Sequence, residues 1–264
     1  MIRFNVRSFI LPLLAAITIA MAGQFALAQE PTSPTTANDD LYTRASEAFS
    51  GNHDIHHVRM KGNATWHAGS LIDTGTATLT ASSDGSSSLF LELSDSGQKV
   101  ETQKGSGVKA QCQWSAKDGV MHDVKNISNC AQPVIWFLPS MSLNSALKDK
   151  KLKTSDAGIG TLGSEAKTHR RLHSQTTDSA MPSALVDKLF KNNTADIGFN
   201  SETFLPNVLT FSQNTDDNHH ATLNIEVRFS DYRAIHGVQI PHTIQRYVNG
   251  SLQLEINISS AEIN

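Results

Sequence analysis

Histidine beside aspartate is the first combination in this chain that could do chemistry. His53-Asp54-Ile55-His56-His57 and Asp216-Asp217-Asn218-His219-His220 each bring imidazole and carboxylate together, ligand types that transition-metal ions take. Both fall at expected loop-to-strand borders, not on a helix where two rings a turn apart would share a face. Neither has a zinc-finger spacing. No metal site and no cofactor are expected. His236 and His242 flank the Gly237–Pro241 strand and suit a hydrogen-bonded or exposed edge better than a general base. There is no Gly-x-Ser-x-Gly elbow, and no Gly-rich phosphate loop precedes a helix, so the expectation is that this is not an enzyme. Cys112 and Cys130 are the only cysteines. They are too far apart for the C-x-x-C arrangement that lowers a thiol pKa, and in an exported chain they read as one structural disulfide.

The remaining candidate is apolar. Pro133 to Pro139 encloses Val134-Ile135-Trp136-Phe137-Leu138, a run without alternation, followed by Met141, Leu143, Ala146 and Leu147. The prolines restrict helix to short pieces, the better one from Ser140 to Lys148. Laid over a sheet, Trp136, Phe137, Leu138, Met141 and Leu143 could form the wall or lid of an apolar ligand site. The other reading is that they simply fill the interior, as most such runs do.

Something must position that cover, and the C-terminal tail shows what. Leu223, Ile225, Val227 and Phe229 alternate with Asn224, Glu226 and Arg228. Leu252, Leu254, Ile256 and Ile258 alternate with Gln253, Glu255, Asn257 and Ser259. A period of two means strands with one dry face and one wet face. Val238, Ile240, Ile244 and Val248 make a looser set between them. Asn249-Gly250 marks the hairpin, and a three-residue loop with Gly250 left-handed is expected because it sets Ile244 opposite Leu254 and Ile240 opposite Ile258. Pro241 belongs at an unpaired edge or a bulge. At Ser259-Ser260 the apolar phase jumps from even to odd positions, which predicts a bulge.

Upstream the same rhythm recurs. Val58, Met60, Ala64 and Trp66 form one strand, with Gly62 at a bend or close approach. Ala77, Leu79 and Ala81 form another between threonines; Ser82 to Ser86 turns the chain into Leu89, Leu91 and Leu93. Val108, Ala110, Cys112 and Trp114 predict a strand with its dry face at Cys112, and Asp118-Gly119 turns the chain back. Thr168 to His173 and Ile197 to Phe211 predict further strands. A short helix is expected after Asp39-Asp40, carrying Leu41, Ala45 and Phe49 and ending at Gly51-Asn52. A second is expected at Pro182 to Lys191. Lys148 to Lys153 reads as basic and exposed.

The chain begins with Arg3 and Arg7, an apolar run from Phe9 to Ala20, and Phe25-Ala26-Leu27-Ala28 before Gln29. This is the pattern of a signal peptide cleaved after Ala28, so residues 1–28 are expected to be removed and the protein to be periplasmic and not membrane-spanning. Residues 29–38 read as a disordered leader, rich in Pro, Thr and Ser, and 39–264 as one β domain. With 22 basic and 25 acidic residues in the whole chain, nucleic acid is not an expected partner.

Thr203-Phe204-Leu205-Pro206, Phe229-Ser230-Asp231-Tyr232-Arg233, Gly237-Val238-Gln239-Ile240-Pro241, Asn249-Gly250, Glu255-Ile256 and the ending Ser260-Ala261-Glu262-Ile263-Asn264 come in order. This set resembles the periplasmic lipoprotein-sorting group, LolA/LolB-like, and its uncharacterised bacterial relatives. The resemblance implies a mainly β fold: an unclosed (half) antiparallel β-barrel with short helices packed in its concave face. It also implies a carrier of acyl chains held between sheet and helices. The expected function is then an exported soluble protein binding a lipid or acyl ligand. The alternative is a non-catalytic envelope module with a filled barrel that binds another envelope protein.

Overall fold

The computed structural model describes residues 36–51, 53–115, 119–132, 134–149, 152–162, 165–174, 194–215 and 221–264. The strands are β1 (His57–Ala68), β2 (Leu71–Ser82), β3 (Ser87–Leu93), β4 (Gly97–Lys104), β5 (Gln111–Ser115), β6 (Met121–Asp123), β7 (Leu152–Leu162), β8 (Glu165–Ser174), β9 (Thr194–Phe199), β10 (Pro206–Asn214), β11 (Thr222–Ile235), β12 (Val238–Val248) and β13 (Ser251–Ile263). The α-helices among the described residues are α1 (Thr36–Ser50), α2 (Ile127–Cys130) and α3 (Pro139–Asp149).

All thirteen described strands join one antiparallel sheet in the order β6-β5-β4-β3-β2-β1-β13-β12-β11-β10-β9-β8-β7. The order follows the chain apart from one added pairing and one break. β1 and β13, the first and last, pair in the middle. β6 and β7, consecutive in the chain, form the two free edges, so the sheet is not closed into a barrel. The segment carrying α2 and α3 runs between those edges. This is the mainly β, unclosed architecture that the resemblance implied.

One face of this sheet is dry because its strands alternate. Val58, Met60, Ala77, Leu79, Leu89, Leu91, Ile197, Leu209, Val227, Ile240, Ile244, Leu254 and Ile256 are all buried in one cluster with the helices. α1 contributes Leu41, Tyr42, Ala45 and Phe49, the spacing of one helical face. It lies against α3 and β12, with Ser46 Oγ donating to Asn144 Oδ1 and the Tyr42 ring edge-on to Phe199 at 6.2 Å. α1 begins at Thr36, three residues before the acidic pair expected to start it. It ends at Gly51, whose φ of +55° and N–H to Glu47 carbonyl bond of 2.8 Å make a left-handed C-cap.

The strand punctuation shows where local chemistry governed and where tertiary pairing did. Between β1 and β13, Lys61 pairs with Ser260 but Gly62 pairs with Ile258, so Ser259 is an extra residue. That is the bulge marked by the phase jump, and its hydroxyl donates to the Lys61 carbonyl at 3.2 Å. Gly62 is required there: a Cβ would overlap the backbone carbonyl oxygen of Asn257. The Asn249-Gly250 hairpin corrects the expected three-residue loop. Val248 pairs with Ser251, leaving a two-residue loop with φ of +49° and +80°, the geometry whose twist matches the strands. The apolar phase is restored two residues later. Arg246 pairs with Leu254 and Tyr247 with Leu252, so Gln253 is skipped and Ile244 meets Ile256 rather than Leu254. Pro241 sits beyond the last β12–β13 pair, Thr243 with Asn257, where no partner on that side needs its missing N–H.

Two other expectations are corrected. The strand anticipated from Val108 begins only at Gln111, because Gly107–Lys109 is a 3₁₀ turn. Its supposed dry face is not dry: Cys112 is half-buried and Trp114 is 40% exposed. β4, unannounced by its sequence, lies beside it. The expected helix at 182–191 and the side chains of 148–153 lie outside the described residues.

Candidate functional site

The described helices cover only part of the concave face. Beyond Trp136 the face is left open as a cleft of about 630 Å³. One wall comes from β3, β4 and β5, through Leu89, Leu91, Val100 and Trp114. The other comes from β10, β11 and β12, through Phe211, Leu223, Ile225 and Val248. The segment from Asn129 to Phe137 roofs it. Its volume is that of an ordinary small-molecule site, about 300–1,000 Å³.

The roof is held at both ends. Cys112 and Cys130 form a disulfide with a Cα–Cα distance of 5.4 Å, tying β5 to α2. Asn129 Nδ2 donates to the Asn214 carbonyl at 2.5 Å and its Oδ1 accepts the Asn214 N–H at 3.0 Å, tying α2 to β10. The Ile135 N–H donates to Ser142 Oγ at 2.8 Å, which fixes the chain entering α3. Two described strands on opposite walls are thus bridged by one short segment.

Of the apolar candidates, Trp136 and Phe137 line the cleft, ring edge to ring face at 5.2 Å. Leu138, Met141 and Leu143 are 1%, 1% and 2% exposed and pack in the core; they are not among the lining residues. The five-residue group therefore divides into a pair at the cleft and a trio facing away from it.

The structure adds a charged group that the sequence reading passed over. Arg246, on β12, is 8% exposed. Its Nη1 donates to both carboxylate oxygens of Glu101 on β4 at 3.0 Å, and Nη2 donates to Oε1 at 3.0 Å. This ion pair spans 145 positions in sequence. The guanidinium lies 4.7 Å from the Trp136 ring centre and 5.9 Å from that of Trp66, while Lys99 Nζ stands 4.9 Å over the same Trp66 ring. Rings carry a negative face that attracts such cations. All of these groups line the cleft. A signal was present: Ile240, Ile244, Arg246 and Val248 share the even phase, so position 246 puts a charge on a dry face. His242 shares that phase and is buried too, its Nδ1 2.8 Å from the Ile258 carbonyl, which requires Nδ1 to carry the proton.

Among the described residues no three of His, Cys, Asp and Glu come together as a metal-binding set; residues 216–220 lie outside them. No described helix is long and apolar enough to cross a membrane.

No protein-family model and no curated protein matches the sequence. Solved structures do match. A LolA superfamily protein from Nitrosomonas europaea aligns over 86% of this chain and 93% of its own, at a TM-score of 0.51 and 10% identity. The fold is LolA-like. An outer-membrane lipoprotein-sorting protein domain from Vibrio parahaemolyticus shares this LolA-like fold over 85% of this chain and 91% of its own, with a TM-score of 0.51 at 8% identity. A DUF1329 family protein from Desulfovibrio piger does so over 88% and 94%, with a TM-score of 0.53 at 9% identity. At these identities the likeness concerns the fold.

Proposed function

We propose that this is an exported, periplasmic binding protein that holds a lipid or acyl chain in the cleft between the concave sheet and the Asn129–Phe137 roof, and that it is not an enzyme. The observation that carries this reading is the open cleft itself. A LolA-like interior filled throughout would leave no room for cargo, whereas here about 630 Å³ remains beside the helices, walled by leucine, valine, phenylalanine and tryptophan. Each methylene moved from water into such a site contributes about 0.8 kcal/mol, so affinity needs no reacting group. The lipoprotein-sorting description of the Vibrio relative and the N-terminal signal pattern agree with this role and place.

The test is native mass spectrometry of protein isolated from the periplasm without detergent. The wild type should carry a bound lipid, and Leu223→Trp, which fills the cleft from one wall, should be bare. A wild type that is itself bare, in a preparation where a control lipid carrier keeps its cargo, removes the carrier reading.

The second reading, an envelope interaction module, has one observation in its favour. Met121 on β6, the outermost described strand, and Val120 just before it are 41% and 52% exposed, and an edge strand with exposed apolar side chains suits strand addition by a partner. Retention of envelope-protein binding in the bare Leu223→Trp variant would favour it.

A further inference from the structure

Arg246 is not fully used by its ion pair. A guanidinium presents five N–H donors in a planar fork. Glu101 occupies the end of that fork, through Nη1 and Nη2. The Nε donor, on the fork's side, is buried and has no hydrogen-bond partner among the described residues. A buried donor without an acceptor is unfavourable, and this one belongs to a side chain lining the cleft. The charge balance points the same way. Arg246 and Lys99 flank one indole, Trp66, while Glu101 is the carboxylate paired with Arg246. Two cations facing one anion leave this end of the cleft positive. Gln132, in the roof, is 8% exposed, and its Oε1 is also unpartnered among the described residues. Leu89, Leu91, Leu223, Ile225 and Val248 give the lining its apolar part, beside uncharged polar groups such as Thr102 and Gln113.

We infer that the cleft's ligand is an anionic amphiphile whose acid head group binds the Nε side of Arg246, with its chain along Leu89, Leu91, Leu223 and Val248. This rests on the binding reading above and adds the head group to it. The shared chemistry is an anionic oxygen acceptor on a hydrocarbon chain, which a carboxylate or a phosphate supplies.

The experiment is calorimetric titration of the delipidated protein with oleate, oleyl phosphate and oleyl alcohol, each below its aggregation threshold. These share a tail and differ in head. A charge-assisted hydrogen bond gained in a buried site corresponds to tenfold or more in affinity. At least one acid should bind about tenfold more tightly than the alcohol, and the tighter of the two identifies the head group. Arg246→Lys keeps the charge but removes Nε; it should lose the preference for acid while alcohol affinity holds. Glu101→Gln leaves the guanidinium without its carboxylate and should increase the preference. It serves as the second arm should Arg246→Lys fail to fold by circular dichroism. Equal binding of acids and alcohol, or a preference unchanged in these variants, overturns the head-group inference and leaves the carrier reading standing. Binding of none of the three overturns both.

Discussion

The concave face has two halves built from the same alternation of side chains, and they end differently. Under α1 and α3 the face is filled: Phe49, Phe199, Met141 and Leu143 are fully buried against the strands. Beyond Trp136 no described helix descends, and the leucines of β3 and β11 border a cleft that also holds an arginine and a lysine. Strand periodicity determines which side of a sheet sheds water. It does not determine whether that side is packed or left hollow. That is decided by what covers it, here one short helix pair at one end and a stapled segment at the other.

The comparison predicts unequal responses to similar truncations. Phe49→Ala, in the filled half, should cost about 3–5 kcal/mol of unfolding free energy. Leu223→Ala, at the half-buried wall of the cleft, should cost less than about 1 kcal/mol, because no cavity is created where space already exists. Chemical denaturation of both variants checks this, and equal losses would show the two halves to be packed alike.

Next in size is the disulfide. Replacing Cys112 and Cys130 with serine should cost about 3 kcal/mol by the chain-entropy model for a loop of this length. Because the bridge holds the roof and not the filled half, ligand release should also quicken. Stopped-flow displacement of a fluorescent fatty acid measures the latter, and unchanged release would mean the roof is secured elsewhere.

Gly62→Ala should destabilise by about 2 kcal/mol or more, since the methyl group would overlap the Asn257 carbonyl and force the β1–β13 bulge to move. Being remote from the roof, it should leave ligand affinity alone in the fraction that folds. Thermal melts with and without ligand separate the two effects.

The smallest effect is one of pH. Asp73, buried on β2 against the β3–β4 turn, accepts the N–H groups of Asp95 and Ser96 at 3.1 and 2.6 Å. Hydrogen bonding, first of all from the Ser96 side chain, holds its carboxyl below the ordinary value of 3.8. A depressed acid stabilises the fold above its unfolded pKa, and that contribution is lost as pH falls through the folded value. Asp73→Asn should therefore flatten the fall in stability below about pH 4 while changing little in its slope near neutrality. A parallel acid limb in wild type and variant would remove Asp73 from the account.

What the sequence made legible follows the same division. The tail strands, the β2–β3 turn and the bulge at Ser259 were readable because each leaves a mark in the apolar phase. The Asn249-Gly250 loop was misjudged because its phase was corrected at Gln253, inside the strand, where a skipped residue has no signature of its own. β4 escaped notice for a physical reason: Gly97-Gln98-Lys99-Val100-Glu101-Thr102-Gln103-Lys104 faces an open cleft, not a core, and so carries no alternation. Arg246 broke the phase of a recognised strand, but its partner Glu101 was 145 positions away on that unrecognised one. Of the apolar cover, composition indicated burial for all five residues, yet only backbone direction separated Trp136 and Phe137 at the cleft from Leu138, Met141 and Leu143 in the core.

The most direct measurement is methyl NMR with a fatty acid carrying a nitroxide spin label near its chain end. The account predicts that methyl signals of Leu89, Leu91, Leu223 and Val248 broaden at one equivalent while those of Met60, Met141 and Leu143 stay sharp. Uniform broadening, or broadening of the second group alone, would contradict a single open half as the place where ligand sits.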